Sequence, residues 1–569
     1  MINQSAQVIL GRILTFGVLV VTLFLEVWKS SEPINAPKML VLSACGISAL
    51  FVIVTSWQKS FWETYRKPII ALSSFYALCL SSVIFSQDNV LVGIFGIKGR
   101  STGLVTYLSL AILFLAAVLL QSVNHYDSIV KFLLIAGAVN IIYNQVFIFG
   151  LDPIPWKNPY GTILGTFGNP NFISSFLGII FSVLVSVVLS DSISKKFRFS
   201  SLGLLPVVLY QILYSNSIQG LFVAGAGTAV VLYLYIRVKL KSKILSISYV
   251  SVVLVIGLVS ILGMLQKGPL ASLIYKTSVS LRGEYWAAGI NMGMSNPLTG
   301  VGLDSYGNWY RLYRRASALV LPGPSVVSDS AHNVFVDFFA SGGFPLFIAY
   351  VSIQVLVAIA IFRILKNMNN FTLTPIALIA AWIGYTAQSV ISINQIGLAV
   401  WGWVLGGAVI GYSMLGTHGI EVQQKKTKSQ NVKKSGRSEA AVSLASVMGL
   451  LVGFLIALPP IRTDIAWRSA IREANLGAIE NALRMWPQDH RTLNSGIVLF
   501  ANNGLQEKAI EYARIDVEKY EENFVSWYTL FQLQSSTDQE KRTALNKMVE
   551  LDPKNEDLKS LLAQVGNNQ

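Results

Sequence analysis

The fold is decided by AHNVFVDFFASGGFPLFIAYVSIQVLVAIAIF, residues 331–362. This stretch opens on the polar residues His332 and Asn333 and continues as a long, largely apolar run. A helix needs about 20 apolar residues to cross the hydrocarbon core of a bilayer. The stretch therefore predicts a transmembrane helix over 333–362, with polar residues at the point where it enters the membrane.

Apolar runs of the same kind recur along the chain. Hydrophobic residues make up 53% of the sequence and charged residues only 13%, whereas soluble domains carry about 25% charged residues. We predict an all-α fold, a polytopic transmembrane helical bundle of about 12–13 spans followed by a small extracytoplasmic α-helical repeat domain. The predicted spans lie at about 9–27, 38–56, 68–86, 103–121, 128–150, 170–190, 199–215, 218–236, 244–265, 333–362, 374–394, 397–416 and 440–460.

The basic residues between the spans predict the orientation. Clusters of Lys and Arg follow the second, sixth, eighth, tenth and twelfth spans. Because cytoplasmic loops are enriched in Lys and Arg, we predict a bacterial cytoplasmic-membrane protein with its N-terminus inside and its C-terminal domain outside. Much of the net charge of +15 thus records membrane topology, and no nucleic-acid partner is expected.

The longest polar interval of the membrane domain runs from Lys267 to Gly343, and the predicted orientation places it outside. Arginine binds phosphate oxygens through paired hydrogen bonds, so basic residues on this side predict a cavity for an anionic ligand. The polar turn that carries Gln219 is a further candidate for lining this cavity. The predicted outer basic residues are Lys98, Arg100, Arg282, Arg311, Arg314 and Arg315.

His332 is the histidine predicted to lie on the outer face, at the mouth of a span. Asn333 follows it, and Asp337 lies about one helical turn further on. A histidine can take or give a proton near neutral pH, although a histidine at a membrane surface can also be a simple polar cap. No cluster of His, Cys, Asp and Glu has the spacing of metal ligands, so neither a metal nor another cofactor is expected.

The chain divides into four predicted parts. Residues 1–416 form the membrane domain with an outer catalytic loop at 267–332, 417–438 a cytoplasmic linker and 439–460 the last span. Residues 461–569 have a soluble composition and a repeat near 34 residues, which is typical of tetratricopeptide helices. Such repeats bind partner proteins, although a short array can also only support the membrane domain.

Motifs along the outer face resemble the O-antigen ligase and polymerase superfamily, which includes bacterial O-oligosaccharyltransferases. The resemblance covers roughly residues 90–410, and some members carry a tetratricopeptide-like tail. The residues that carry it are Arg282 with Trp286, Asn296-Pro297, Gly300-Val301-Gly302, Ala331-His332-Asn333 and Gly342-Gly343, together with Gly168-Asn169-Pro170-Asn171 and the segment from Arg100 to Gly103.

The resemblance implies a membrane glycosyltransferase that takes a glycan from an undecaprenyl-diphosphate carrier and transfers it, without a metal, to a hydroxyl of a glycan, lipid or protein acceptor. Arg282 would contact the diphosphate and His332 the acceptor hydroxyl. Many members have an arginine after the serine in the turn between the seventh and eighth spans, where this chain reads Ser217-Ile218-Gln219. Arg311, Arg314 or Arg315 could replace that arginine.

Other functions are compatible with the same features. A polymerase of lipid-linked polysaccharide repeats would contain the same parts, with a second lipid-linked repeat as acceptor. A transporter or flippase of an anionic lipid-linked glycan would also need outer basic residues, but the sequence shows no pair of broken helices and no inverted repeat. A non-catalytic scaffold would leave Arg282 and His332 without a role.

Overall fold

The computed structural model describes residues 4–86, 88–264, 267–269, 271, 277–415 and 436–567. All regular secondary structure in these residues is helical, and twelve helices among them are long and apolar enough to cross a membrane. The predicted all-α class and the number of spans are therefore confirmed. The predicted linker 417–438 lies almost entirely outside the described residues.

The first span is built from α1 (Gln4–Arg12), a π-helical turn (Ile13–Gly17) and α2 (Val18–Leu23). The helices that follow up to the polar interval are α3 (Asn35–Thr55), α4 (Lys59–Ile84), α5 (Val90–Phe95), α6 (Leu104–Val118), α7 (Val123–Ile148), α8 (Pro170–Leu189), α9 (Lys195–Tyr214), α10 (Ile218–Tyr235) and α11 (Lys243–Met264). The predicted span 103–121 corresponds to the short helix α6. The predicted pair 199–215 and 218–236 consists of two separate helices, joined at Asn216, whose φ of 58° asparagine tolerates well.

The second half contains the helices of the polar interval, four spans and the C-terminal domain. The helices of the polar interval are α12 (Thr277–Ser295), α13 (Tyr306–Tyr313) and α14 (Ser317–Val320), and the spans α15 (Val334–Asn367), α16 (Leu373–Ile391) and α17 (Ile396–Leu415) follow. The last span, α18 (Gly436–Arg472), continues into the C-terminal helices α19 (Leu476–Arg484), α20 (His490–Asn502), α21 (Gln506–Lys519), α22 (Phe524–Gln532), α23 (Asp538–Leu551) and α24 (Glu556–Asn567).

The last span packs closely along α3 through two glycines spaced four residues apart. A Cβ at Gly449 would lie 2.6 Å from the Cα of Ser48, and a Cβ at Gly453 would lie 2.3 Å from the carbonyl oxygen of Ser43. The hydroxyl of Ser43 donates to the carbonyl oxygen of Gly453 over 2.8 Å. Small residues at this spacing let two membrane helices approach backbone to backbone. The contact fixes where the C-terminal domain leaves the bundle.

Helix α15 is broken at Gly342 and Gly343, whose φ angles are −141° and 62°. The predicted outer loop satisfies backbone groups that the break leaves free. The amide of Val301 donates to the carbonyl oxygen of Ala340 over 2.9 Å, and the amide of Phe344 donates to that of Pro297 over 2.9 Å. Backbone polar groups at membrane depth need such partners. The motifs at Pro297 and Gly342-Gly343 thus join the outer loop to the short half-helix that begins after His332.

Gly343→Ala is expected to destabilise the protein by about 3 kcal/mol or more. A Cβ at Gly343 would lie 2.2 Å from the carbonyl oxygen of Pro297, and its φ of 62° disfavours any L side chain. Thermal unfolding of the purified protein in detergent measures the effect. Gly225→Ala, in open space on α10, is the matched control and should leave the midpoint unchanged or slightly raised. Equal midpoints for the two variants would contradict this account of the break.

The C-terminal domain is a set of paired helices. His490 and Phe524 begin the helices α20 and α22, at the spacing near 34 residues that the sequence predicts. Asp489 and Asn523 cap these two helices through their side-chain oxygens. The assignment to tetratricopeptide repeats, and the extracytoplasmic position of the domain, stay predictions.

Asp516 gives this domain a pH-dependent stability. Its side chain is fully buried on α21, and burial raises the pKa of Asp516 to about 7. Since this folded-state value lies above the unfolded value of about 3.9, the group binds a proton more tightly when folded. Its contribution to the free energy of unfolding is therefore largest in acid and falls between about pH 4 and pH 7. We expect Asp516→Asn to raise the stability at pH 8 by roughly 2 kcal/mol.

Amide hydrogen exchange of the C-terminal helices in the full-length protein, at pH 6 and pH 8, measures the Asp516 effect. Glu511→Gln is the control, since it removes an exposed carboxylate of the same helix and leaves the buried Asp516 in place. It should leave the pH dependence as it is in the wild type. A pH dependence that persists in Asp516→Asn would show that another group is responsible.

Candidate functional site

The Ala331-His332-Asn333 motif forms a tight turn that presents the histidine. The amide of Ala331 donates to Oδ1 of Asp337 over 2.7 Å. Asn333 is the N-cap of α15, and its Oδ1 accepts a hydrogen bond from the amide of Phe335 over 3.0 Å. Between them His332 adopts a φ of 54°, in the left-handed region that non-glycine residues seldom occupy. Such strain is kept where the surrounding bonds impose it, and it often marks functional sites.

Arg282 and His332, which are fifty residues apart in sequence, lie at the same site. The imidazole of His332 lies against the ring of Tyr285, with 5.6 Å between the ring centroids. Tyr285 is three residues after Arg282 on α12, so the two side chains share one face of that helix. Burial, together with the positive charges of Arg282 and Arg100, lowers the pKa of His332 to about 4. The imidazole is therefore neutral at physiological pH and lies within the electrostatic influence of two guanidinium groups.

Arg282 differs from Arg100, Arg311 and Arg314 in its partners. It is half-buried, and burial lowers the pKa of its guanidinium. No carboxylate among the described residues forms an ion pair with it. A partly desolvated cation without a counter-ion is suited to an anionic ligand.

Arg100 belongs to the same site, but acidic and carbonyl groups already surround it. Its Nε lies 3.3 Å from Oδ1 of Asp304, and its NH1 donates to the carbonyl oxygen of Asp329. Asp304 also fixes the backbone of this loop, because its Oδ2 accepts from the amides of Ile97 and Thr102 over 3.0 and 3.3 Å. Part of the positive charge of Arg100 is therefore neutralised within the protein.

Arg311 and Arg314 bind the C-terminal domain. Both guanidinium groups bind Asp552, over 3.2 Å for Arg311 and 2.5 Å for Arg314, and the side chains of Arg314 and Asp552 are completely buried. Arg311 also stacks on the ring of Phe524, 4.2 Å from its centroid. This placement does not support the predicted role of the two arginines as phosphate ligands, because an internal carboxylate occupies them. Arg315, the third of the cluster, is exposed.

Lys98 and Gln219 lie in other surroundings. The ammonium of Lys98 forms an ion pair of 2.9 Å with Asp464 at the end of the last span, and it donates to the hydroxyl of Thr492 over 3.1 Å. Gln219 is buried between α8 and α10, where its Oε1 accepts from the hydroxyl of Ser175 over 3.3 Å. The contacts of the described residues therefore give neither side chain a link to His332.

Several residues that contact the predicted site residues were not among those predicted from the sequence. Tyr285 contacts the ring of His332, and Asp304 and Asp329 bind Arg100. Arg491 of the C-terminal domain donates to the carbonyl oxygen of Lys98. The one available signal was the presence of acidic residues within predicted outer segments rich in arginine. Among the described side chains, no three His, Cys, Asp or Glu groups come together as a metal site, and metal independence stays a prediction.

Residues 203–351 match the model of a protein family described as O-antigen ligase. The matched segment contains Arg282 and His332 but neither Arg100 nor the C-terminal domain. A comparison with curated proteins gave no match. The resemblance to the O-antigen ligase superfamily is thereby confirmed for this segment, and the family suggests a membrane enzyme of the ligase or polymerase type in surface polysaccharide synthesis.

Proposed function

We propose that this protein is a membrane glycosyltransferase that transfers a glycan from an undecaprenyl-diphosphate carrier to an acceptor hydroxyl on the outer face of the cytoplasmic membrane. The observation that carries the proposal is the pairing of two groups at one site. Arg282 has no acidic partner among the described residues. It shares a face of α12 with Tyr285, whose ring lies 5.6 Å from that of His332, centroid to centroid. Both residues lie within the family match.

Arg282 would stabilise the leaving group. When the bond between the sugar carbon and the diphosphate oxygen breaks, negative charge develops on that oxygen. A preorganised guanidinium in a partly dehydrated site stabilises this charge far more than water does, and one such donor contributes about 3–4 kcal/mol. Arg100 would contribute less, because Asp304 already lies 3.3 Å from its Nε.

His332 would serve the acceptor. Because its pKa is about 4, the imidazole is neutral at physiological pH and can accept a hydrogen bond from the attacking hydroxyl. A bound diphosphate would offset the charges of Arg282 and Arg100, which raises the pKa of the imidazole towards a value that suits a base. The hydroxyl oxygen then bonds to the sugar carbon, its proton passes to His332, and the lipid diphosphate leaves from the opposite face. This geometry inverts the configuration at the sugar carbon.

Purified full-length protein in nanodiscs, given a synthetic undecaprenyl-diphosphate glycan and acceptor saccharides, tests the proposal. Transfer with release of undecaprenyl diphosphate is the expected result. Product that grows by whole donor units would identify a polymerase, whereas a single addition to an unlike acceptor would identify a ligase. Movement of the lipid-linked glycan across the bilayer without a new glycosidic bond would reject an enzyme in favour of a transporter. Transfer that continues in EDTA is expected.

A further inference from the structure

One residue of the C-terminal domain joins the two loops that hold Arg100 and His332. Arg491 lies in the first turn of α20. Its NH1 donates to the carbonyl oxygen of Lys98 over 2.9 Å, and its NH2 forms an ion pair of 2.9 Å with Oδ2 of Asp329. A single planar guanidinium therefore spans two segments that are more than two hundred residues apart in sequence.

Asp329 is held from both sides. Arg491 binds its carboxylate, and NH1 of Arg100 donates to its carbonyl oxygen. Arg100 comes two residues after Lys98, and His332 comes three residues after Asp329. The bonds of Arg491 therefore restrain the relative position of the Arg100 guanidinium and the His332 imidazole.

The docking of the C-terminal domain does not depend on Arg491. The fully buried pair of Arg314 and Asp552 and the pair of Lys98 and Asp464 hold the domain and the last span against the same loops. The pair of Arg491 and Asp329 is 42% exposed on each side, and exposed pairs contribute little to stability. We therefore assign Arg491 a role in positioning the two loops rather than in stability, because its planar guanidinium can bind two acceptors at once.

We propose that Arg491 is a positioning residue for glycan transfer, which fixes the loop of Arg100 relative to the loop of His332. This inference rests on the proposed function. It assigns the C-terminal domain a part in the active site, independent of any protein partner that the domain binds. A misplacement of about 1 Å at a reacting group can cost up to about 100-fold in rate, so a restraint of this kind has a measurable effect.

The test compares Arg491→Gln, Arg491→Lys and Asp329→Asn in the full-length protein. We expect Arg491→Gln to lower kcat for transfer about tenfold, with little change in KM for the lipid-linked donor. The lysine variant keeps the charge but not the fork, and it should restore part of the loss. The double variant with Asp329→Asn should be no worse than the worse single variant, because the two residues act through one contact. Arg514→Gln, which removes an exposed ion pair within the domain, is the control and should leave kcat unchanged.

Amide hydrogen exchange of residues 96–103 and 328–333 gives a readout that does not require turnover. Faster exchange in both segments of Arg491→Gln, with an unchanged midpoint of thermal unfolding, is expected. Unchanged exchange, an unchanged kcat, or additive losses in the double variant would each overturn the positioning role. Absence of transfer by the wild-type protein would instead reject the proposed function, while the exchange measurement still decides whether Arg491 restrains the loops.

Discussion

Arg282→Ala is expected to lower the rate of glycan transfer by about 100- to 1,000-fold. The guanidinium is half-buried and carries no ion pair with a described carboxylate. It shares a helix face with Tyr285, whose ring contacts the imidazole of His332. The substitution removes the guanidinium that would stabilise the negative charge on the departing diphosphate. The measurement is the initial rate of transfer in nanodiscs, at equal amounts of folded protein and with a saturating acceptor.

Two companion variants sharpen the Arg282 result. Arg282→Lys keeps a positive charge but loses the paired geometry, so it should recover only part of the activity. Arg472→Ala, at an exposed position at the end of the last span, removes one cation from the protein without touching the site and should stay within about twofold of the wild type. Wild-type activity in Arg282→Ala would remove the arginine from the reaction.

His332→Ala should have the second large effect, a loss of about 100- to 10,000-fold. Because the backbone of His332 has a φ of 54°, alanine adds strain to the loss of the imidazole. His332→Asn is therefore the better variant for separating chemistry from folding, since asparagine tolerates this conformation. It should fold as the wild type does and still fail to transfer. Activity near that of the wild type in His332→Asn would exclude the histidine as the base.

The pH dependence of kcat/KM gives an independent test of His332. Burial, Arg282 and Arg100 lower its pKa to about 4, so the free enzyme keeps a neutral imidazole well below pH 6.5. As pH falls, the activity should decline through a group titrating near 4, and the Arg282→Lys variant should keep this limb, because the charge beside the imidazole remains. A decline centred near 6.5 would mean that His332 is not buried beside two cations.

The spans, and Arg282 and His332 as candidate site residues, could be predicted from the sequence because they depend on local signals. Apolar runs predict the spans, and basic loops predict their orientation. Asn333 stands directly before an apolar helix, where asparagine commonly caps a helix. The left-handed backbone of His332 and the bond from the amide of Ala331 to Asp337 depend on a turn that no single residue predicts. The break at Gly342-Gly343 was visible only as a glycine pair, since its carbonyl partners lie in the loop around Pro297.

The binding partners of the other basic residues could not be predicted, because these partners lie far away in the sequence. The sequence makes Arg311 and Arg314 candidate phosphate ligands. In the structure both bind Asp552, which lies more than two hundred residues away in the sequence. Lys98 is paired with Asp464 in the same way. The number of arginines in the predicted outer segments therefore does not give the charge available to a ligand. Arg282 differs from Arg311 and Arg314 in forming no ion pair with a carboxylate of the described residues.

The buried pair of Arg314 and Asp552 has a consequence for biogenesis. Asp552 follows Arg314 by 238 residues. Four spans and most of the C-terminal helices are therefore synthesised before the partner of Arg314 is available. Until then the arginine has no counter-charge, and the outer loop cannot reach its final packing. A nascent or prematurely terminated chain would thus be inserted in the membrane but unable to act on its lipid substrate. The order of synthesis would then withhold activity until the last helices have folded and docked.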